Sequence, residues 1–136
     1  MYNYSRQVRY FDTDRMGVVH HACYLYYFEE GREALLENEL GISYRQIEES
    51  GIMLPVVNAQ CKYINGAKYG DLLTVETKIT KFNGITLTFS YRIYLNDTIY
   101  VTGNTEHCFV GDDFKPIKLQ KKDPALYEKI KSIVEL

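Results

Sequence analysis

Strict period-two alternation is the strongest constraint in this sequence. Leu73, Val75, Thr77 and Ile79 oppose Thr74, Glu76, Lys78 and Thr80, and Ile85, Leu87, Phe89, Tyr91, Ile93 and Leu95 oppose Thr86, Thr88, Ser90, Arg92 and Tyr94. Successive side chains of a strand point to opposite faces, so each run predicts a strand with one apolar and one polar face. The flanking segments, Val56 to Tyr63 and Ile99 to Val110, also read as sheet, with Val57, Ala59, Cys61 and Tyr63 opposite Asn58, Gln60 and Lys62. Asn83-Gly84 and Asn96-Asp97 stand between the later runs; Asn and Gly tolerate positive φ, which predicts a type I′ turn at the first pair and a similar turn at the second. The expectation is an antiparallel meander of four strands over residues 56–110.

A sheet with one apolar face needs an apolar partner. From about Ala22 to Leu40, Leu25, Phe28, Leu35 and Leu36 recur near the 3.6-residue period and Gly41 follows as a stop, which predicts one long helix. Gly31 inside it costs roughly 1 kcal/mol relative to alanine and is read as a point of close approach to another backbone. Ser43-x-x-Gln46 is a capping box that opens a short helix, ended by Gly51 ahead of Pro55. Ser5 to Phe11 reads as a strand running into the polar loop Asp12 to Gly17. Asp123 followed by Pro124 opens a last helix with Leu126, Ile130, Ile133 and Val134 as its apolar stripe. The sum is one α+β domain over residues 1–136, a curved antiparallel sheet around one long helix. Open strand edges in so short a chain predict pairing into a homodimer.

Charge and cysteine content narrow the function classes. Lys and Arg number 16 against 18 Asp and Glu, a net charge of −2, so nucleic acid is not an expected partner. No apolar run approaches the roughly 18 residues of a membrane span, and the first residues lack the pattern of a signal peptide. A cytoplasmic location is therefore expected. Cys23, Cys61 and Cys108 are odd in number and widely spaced, which predicts reduced, buried thiols.

Ionisable groups gather in Tyr10 to Tyr24, between a strand end and a helix start. Asp14 stands just ahead of a helix N-terminus, where unpaired N–H groups favour an anion and could accept the oxyanion of an attacked carbonyl. Taken alone, Asp14 reads first as a turn or capping residue. Asp12-x-Asp14-x-x-Gly17 imitates a calcium loop, but Met16 and Cys23 stand where oxygen ligands belong. His20 and His21 lack the HExxH spacing, and there is no GxSxG, so no metal site or serine nucleophile is expected. Cys23 is read as a packing residue, His107 as a strand residue, and Glu29 and Glu30 as exposed or paired helix carboxylates.

Val8-Arg9-Tyr10-Phe11-Asp12-Thr13-Asp14, then Gly17-Val18-Val19-His20-His21-Ala22 and Tyr24, with Tyr69-Gly70-Asp71 and Lys115-Pro116 later, form a recognisable set. Over residues 5–120 the chain resembles the 4-hydroxybenzoyl-CoA thioesterase-like branch of the hotdog superfamily, in particular the Tol-Pal-associated short-chain acyl-CoA thioesterases. The resemblance implies a hotdog fold, sheets joined edge to edge in a homodimer or homotetramer, a site at the subunit interface, an acyl-CoA or acyl-carrier thioester as substrate, and no metal or redox cofactor. By position, Asp14 matches the catalytic aspartate, acting as nucleophile or as general base. His21 matches the residue whose backbone N–H polarises the thioester carbonyl, and Tyr10 matches a supporting tyrosine. Gly17 and Val18 belong to the matching segment and are expected at the substrate. Lys62, Lys68 and Arg92 could meet CoA phosphates or be solvated charges. Cys23 stands where many relatives carry Asn. A non-catalytic acyl-CoA-binding hotdog protein is the alternative, and a carboxylate at position 14 favours catalysis over it.

Overall fold

The alternating segments form one five-stranded antiparallel sheet in the computed structural model, which describes residues 1–135. The strands are β1 (Tyr2–Gln7), β2 (Val56–Tyr63), β3 (Leu72–Phe82), β4 (Thr86–Leu95) and β5 (Thr98–Cys108), in the order β1-β3-β4-β5-β2. Only β3 to β5 run as a meander. β2 pairs with β5, not with β3, which corrects the expected four-strand order. The strands with the strictest alternation take the middle, where their apolar residues have neighbours on both sides. β2, exposed along nearly all its length, occupies an edge.

Strand ends and turns depart from expectation for local reasons. β1 spans Tyr2–Gln7 rather than Ser5 to Phe11, because Tyr10–Asp12 coils into a 3₁₀ turn in which the Asp12 carboxylate accepts from the Arg9 N–H at 2.9 Å. At the β3–β4 turn only Gly84 has a positive φ, of 89°, so the turn is not type I′. Asn83 serves through its side chain, accepting from the N–H groups of Ile85 and Thr86 at 2.9 and 2.8 Å.

The long helix begins at Cys23 and runs as α1 (Cys23–Leu35) into a π-helical turn (Leu36–Leu40), which Gly41 closes at φ 65°. Three shorter helices follow: α2 (Tyr44–Glu49), α3 (Leu119–Lys122) and α4 (Pro124–Ser132). The capping box is formed, with Ser43 Oγ accepting from the Gln46 N–H at 3.2 Å and Gln46 Oε1 from the Ser43 N–H at 2.9 Å. Asp123 caps α4 by accepting from the Leu126 N–H at 3.1 Å. Leu126 and Ile130 are buried, whereas Ile133 and Val134 lie past the helix end, where Val134 pairs with Ile79 of β3.

The core sits between α1 and the apolar face of the sheet. Tyr27, Phe28 and Leu35 of the helix are buried with Leu73, Val75, Ile79, Leu87, Phe89 and Ile93 of the strands. Full burial of each such side chain is worth about 1.5–3 kcal/mol. Phe28 stacks on Tyr91 with centroids 4.1 Å apart. Gly31 is the close approach foreseen, but to side chains: a Cβ there would lie 2.6 Å from Thr77 Oγ1 and 2.9 Å from Val75 Cγ1. The cysteines are free, and half-buried rather than buried. Among the described residues no helix is long and apolar enough to cross a membrane.

Candidate functional site

Asp14 sits in a turn that it stabilises itself. Its N–H donates to the Val18 carbonyl at 2.8 Å, its carbonyl accepts from the Gly17 N–H at 3.0 Å, and its Oδ1 accepts from the Met16 N–H at 2.8 Å. Gly17, at φ 83°, allows the chain to reverse. Among the described residues Asp14 Oδ2 has no protein donor, so half of the carboxylate is uncommitted.

The turn is clipped to the segment that follows β2. Val19 N–H donates to the Ala67 carbonyl at 2.9 Å, and Val18 bridges to Lys68. A Cβ on Gly66 would lie 2.8 Å from Val18 Cγ1, so glycine permits the contact. Next, the His20 carbonyl accepts from the Cys23 N–H at 2.9 Å, and His20 Nδ1 accepts from the Ala22 N–H at 3.1 Å. α1 therefore starts at Cys23 with Ala22 as its cap residue, one residue from the expected start. Among the described residues the His21 N–H has no protein acceptor. Asp14 and His21 line one cleft of about 300 Å³, together with Val18, Tyr24, Tyr63 and Asn65.

The other expected site residues are placed less uniformly. Val18 lines the cleft, whereas Gly17 shapes the loop without lining it. Tyr10 is 77% exposed on the 3₁₀ turn, edge-on to Tyr69 at 5.9 Å, and lies outside the cleft of a single chain. Lys68 adjoins Val18 and its N–H donates to Asp71 Oδ2 at 2.9 Å, but it does not line the cleft. Lys62 and Arg92 border a groove of about 660 Å³ among alternate strand residues such as Glu76, Lys78 and Ser90. That groove is larger than the cleft, yet contains neither Asp14 nor a free helix-start N–H. Neither of these two cations lines the cleft that holds Asp14. Arg92 is also committed, donating to Glu76 Oε2 at 2.8 Å.

Asp12 is the residue whose importance the local sequence conceals. It is 4% exposed, and its Oδ2 accepts from Tyr27 OH and Arg9 N–H, each at 2.9 Å, with Arg6 Nη2 at 3.3 Å. Arg6 also meets Glu30 at 2.9 Å and lies 4.8 Å over the Tyr27 ring. This network ties β1, α1 and the Asp14 loop together. Burial and the Asp12 hydrogen bond raise the Tyr27 phenol far above its ordinary range, so it stays a donor. The only local signal was the Arg9–Asp12 capping relation.

The remaining candidates do other work. Burial, followed by the charge of Asp12, raises the Cys23 thiol, which leaves no activated nucleophile there. Glu30 is paired with Arg6 and accepts from Tyr4 OH at 3.0 Å. His107 is buried in the core, its Nδ1 3.1 Å from the Leu54 carbonyl and its Nε2 2.8 Å from Thr105 Oγ1. Among the described residues no group of three or more His, Cys, Asp or Glu converges as ion ligands would. Chemically, the cleft offers a free carboxylate oxygen and a free N–H at a helix start, the pair that acyl transfer uses.

Comparison with known proteins identifies the family. The profile of the thioesterase-like superfamily matches residues 8–129. YneP of Bacillus subtilis is 37% identical over 130 residues, 92% of this chain and 94% of that protein. The acyl-CoA thioesterase YbgC of Haemophilus influenzae is 30% identical over 131 residues, 96% of each chain. The DHNA-CoA thioesterase of Staphylococcus aureus superposes with a TM-score of 0.91 at 30% identity, covering 96% of this chain and 88% of that one.

Proposed function

Because this chain belongs to the thioesterase-like superfamily and is a hotdog-fold thioester hydrolase acting on acyl-CoA, we propose that Asp14 and the His21 N–H are its catalytic pair. The observation that carries this assignment is their position on one cleft, with Asp14 Oδ2 and the His21 N–H both uncommitted. Asp14 attacks the thioester carbon, or takes the proton of an attacking water, and the oxyanion accepts from the His21 N–H. One such donor is worth about 3 kcal/mol in the transition state. Thiolate departure then releases CoA, leaving the free acid where water was the nucleophile, or an Asp14 anhydride that a second step hydrolyses with water to the acid and the free carboxylate.

The working unit in this reading is one domain over residues 1–136, assembled as a homodimer or homotetramer in the cytoplasm. The open edge of β2, with Val56 and Val57 exposed, supports edge pairing beside the cleft. Tyr10, Lys62 and Lys68, away from the cleft of one chain, would then serve a site completed by a neighbouring copy. Free thiols at every cysteine fit a reducing compartment.

The test is hydrolysis of an acyl-CoA panel, followed by free thiol, for wild type and Asp14→Asn. A loss of about 100-fold or more is expected for a group in this role. Equal rates would remove Asp14 from the mechanism, and tight acyl-CoA binding without turnover would make the chain a sensor. Single turnover in ¹⁸O water tests the nucleophilic route: label recovered in Asp14 requires that water opened an Asp14 anhydride at the aspartyl carbonyl. Analytical ultracentrifugation reads the assembly.

A further inference from the structure

Tyr63 is the last residue of β2, and it reaches from the sheet edge to the turn that starts α1. Its hydroxyl donates to the His21 carbonyl at 3.1 Å, and its ring stands edge-on to the His21 imidazole at 6.3 Å and 86°. The peptide bearing that carbonyl continues into the Ala22 N–H, which donates to His20 Nδ1 at 3.1 Å. The His20 ring stacks on His21 at 4.3 Å. One line of hydrogen bonds thus runs from the Tyr63 phenol through the His21–Ala22 peptide to the His20 imidazole. Such bonds polarise and strengthen one another.

The line ties His21 on its carbonyl side and leaves its N–H free. An oxyanion donor is effective only when its direction is set before the reaction, since reorientation during the reaction would cost free energy. The peptide that bears this N–H is held through its own carbonyl, that of His20, which accepts from the Cys23 N–H at 2.9 Å, and Tyr63 holds the following peptide, so the two peptides flanking the His21 Cα are fixed together. The core does not need the Tyr63 hydroxyl, for the side chain is 48% exposed and packs by its ring against Tyr24 at 5.8 Å. Burial, and after it Cys61, push the phenol up to about 12, so it remains a donor at neutral pH.

We infer that Tyr63 is a positioning residue for acyl transfer, aiming the His21 N–H by holding the His21 carbonyl from the edge strand. The inference rests on the proposed catalytic pair of Asp14 and that N–H.

The test compares wild type, Tyr63→Phe, Tyr63→Leu and Asp14→Asn on the acyl-CoA that the wild type hydrolyses fastest, with thermal melts and the Ala22 amide resonance recorded for each. Tyr63→Phe keeps the ring and removes only the hydroxyl. Its expected result is kcat lowered about tenfold, equivalent to about 1.4 kcal/mol, with KM within about twofold of wild type. The Ala22 amide should shift, because the carbonyl of its own peptide has lost a donor, and Tyr63→Leu should lower kcat further. A kcat within about twofold of wild type in Tyr63→Phe, beside an inactive Asp14→Asn, overturns the positioning role alone. So does a fall in kcat with an unmoved Ala22 amide. Wild-type rates in Asp14→Asn overturn the underlying assignment, and this role with it.

Discussion

Tyr27 donates its phenolic proton to Asp12 at 2.9 Å, from the middle of α1 to the loop that carries Asp14. A buried carboxylate that loses a donor retains its desolvation cost, so Tyr27→Phe should destabilise the fold by about 1–3 kcal/mol. Asp12→Ala should cost more, about 3–5 kcal/mol, because it leaves the Arg6 charge partly unpaired. Urea denaturation of both variants checks the order; a stability loss from Tyr27→Phe equal to that from Asp12→Ala would contradict it.

Gly66→Ala should act on turnover rather than on the core. The added methyl would lie 2.8 Å from Val18 Cγ1, in the strap that clips the Asp14 turn in place. Displacing Val18 moves the carboxylate relative to His21, and a misplacement of about 1 Å can cost on the order of 100-fold in rate. Val18→Ala in the same chain should recover most of the lost kcat. Steady-state kinetics of the single and double variants decide it.

Gly31→Ala sets two effects against each other. Helix propensity improves by about 1 kcal/mol, while overpacking costs typically 1–3 kcal/mol. Contacts of 2.6 and 2.9 Å to Thr77 and Val75 belong to a strand that cannot withdraw, so a net loss is expected. Combining it with Thr77→Ala relieves the nearer clash and should recover part of the loss, the 2.9 Å contact with Val75 remaining. Thermal denaturation of the four proteins closes the cycle.

His107 gives stability a pH dependence. Burial pushes it down to about 4, against an ordinary value of 6.5, with its hydrogen bond to Leu54 opposing. Between those values the unfolded chain binds a proton that the folded one does not, so this contribution to stability is complete above pH 6.5. It is lost progressively as pH falls to about 4, by an amount on the order of 3 kcal/mol. Denaturation at pH 7, 5.5 and 4 should show the loss, and His107→Gln should flatten it even if less stable at pH 7.

The parts of the fold visible in the sequence are those decided within one element. Alternation from Leu73 onward survives because β3 and β4 present one face to α1 and the other outward, and the Ser43 and Asp123 caps survive because each satisfies its own helix. The position of β2 is different: its alternation says nothing about which strand it joins, and only three-dimensional closure sends it to β5. The start of the long helix was also legible, falling at Cys23 with Ala22 as its cap, one residue from the expected position. At the proposed site, Asp14 and His21 could be named together because the family resemblance covers the loop they share. Asp12 with Tyr27 and His21 with Tyr63 could not, being separated by 15 and 42 residues and joined only through the packed fold.

β2 is bonded to β5 on one side, open on the other, and ends on Tyr63. Whatever pairs with the open side stiffens the strand that bears the tyrosine. By reciprocity, a ligand that locks the His21 turn makes that strand a better template for pairing. If a second copy closes that edge, filling the cleft and closing the edge draw on one shared free energy, and turnover per chain would then depend on protein concentration as well as on substrate.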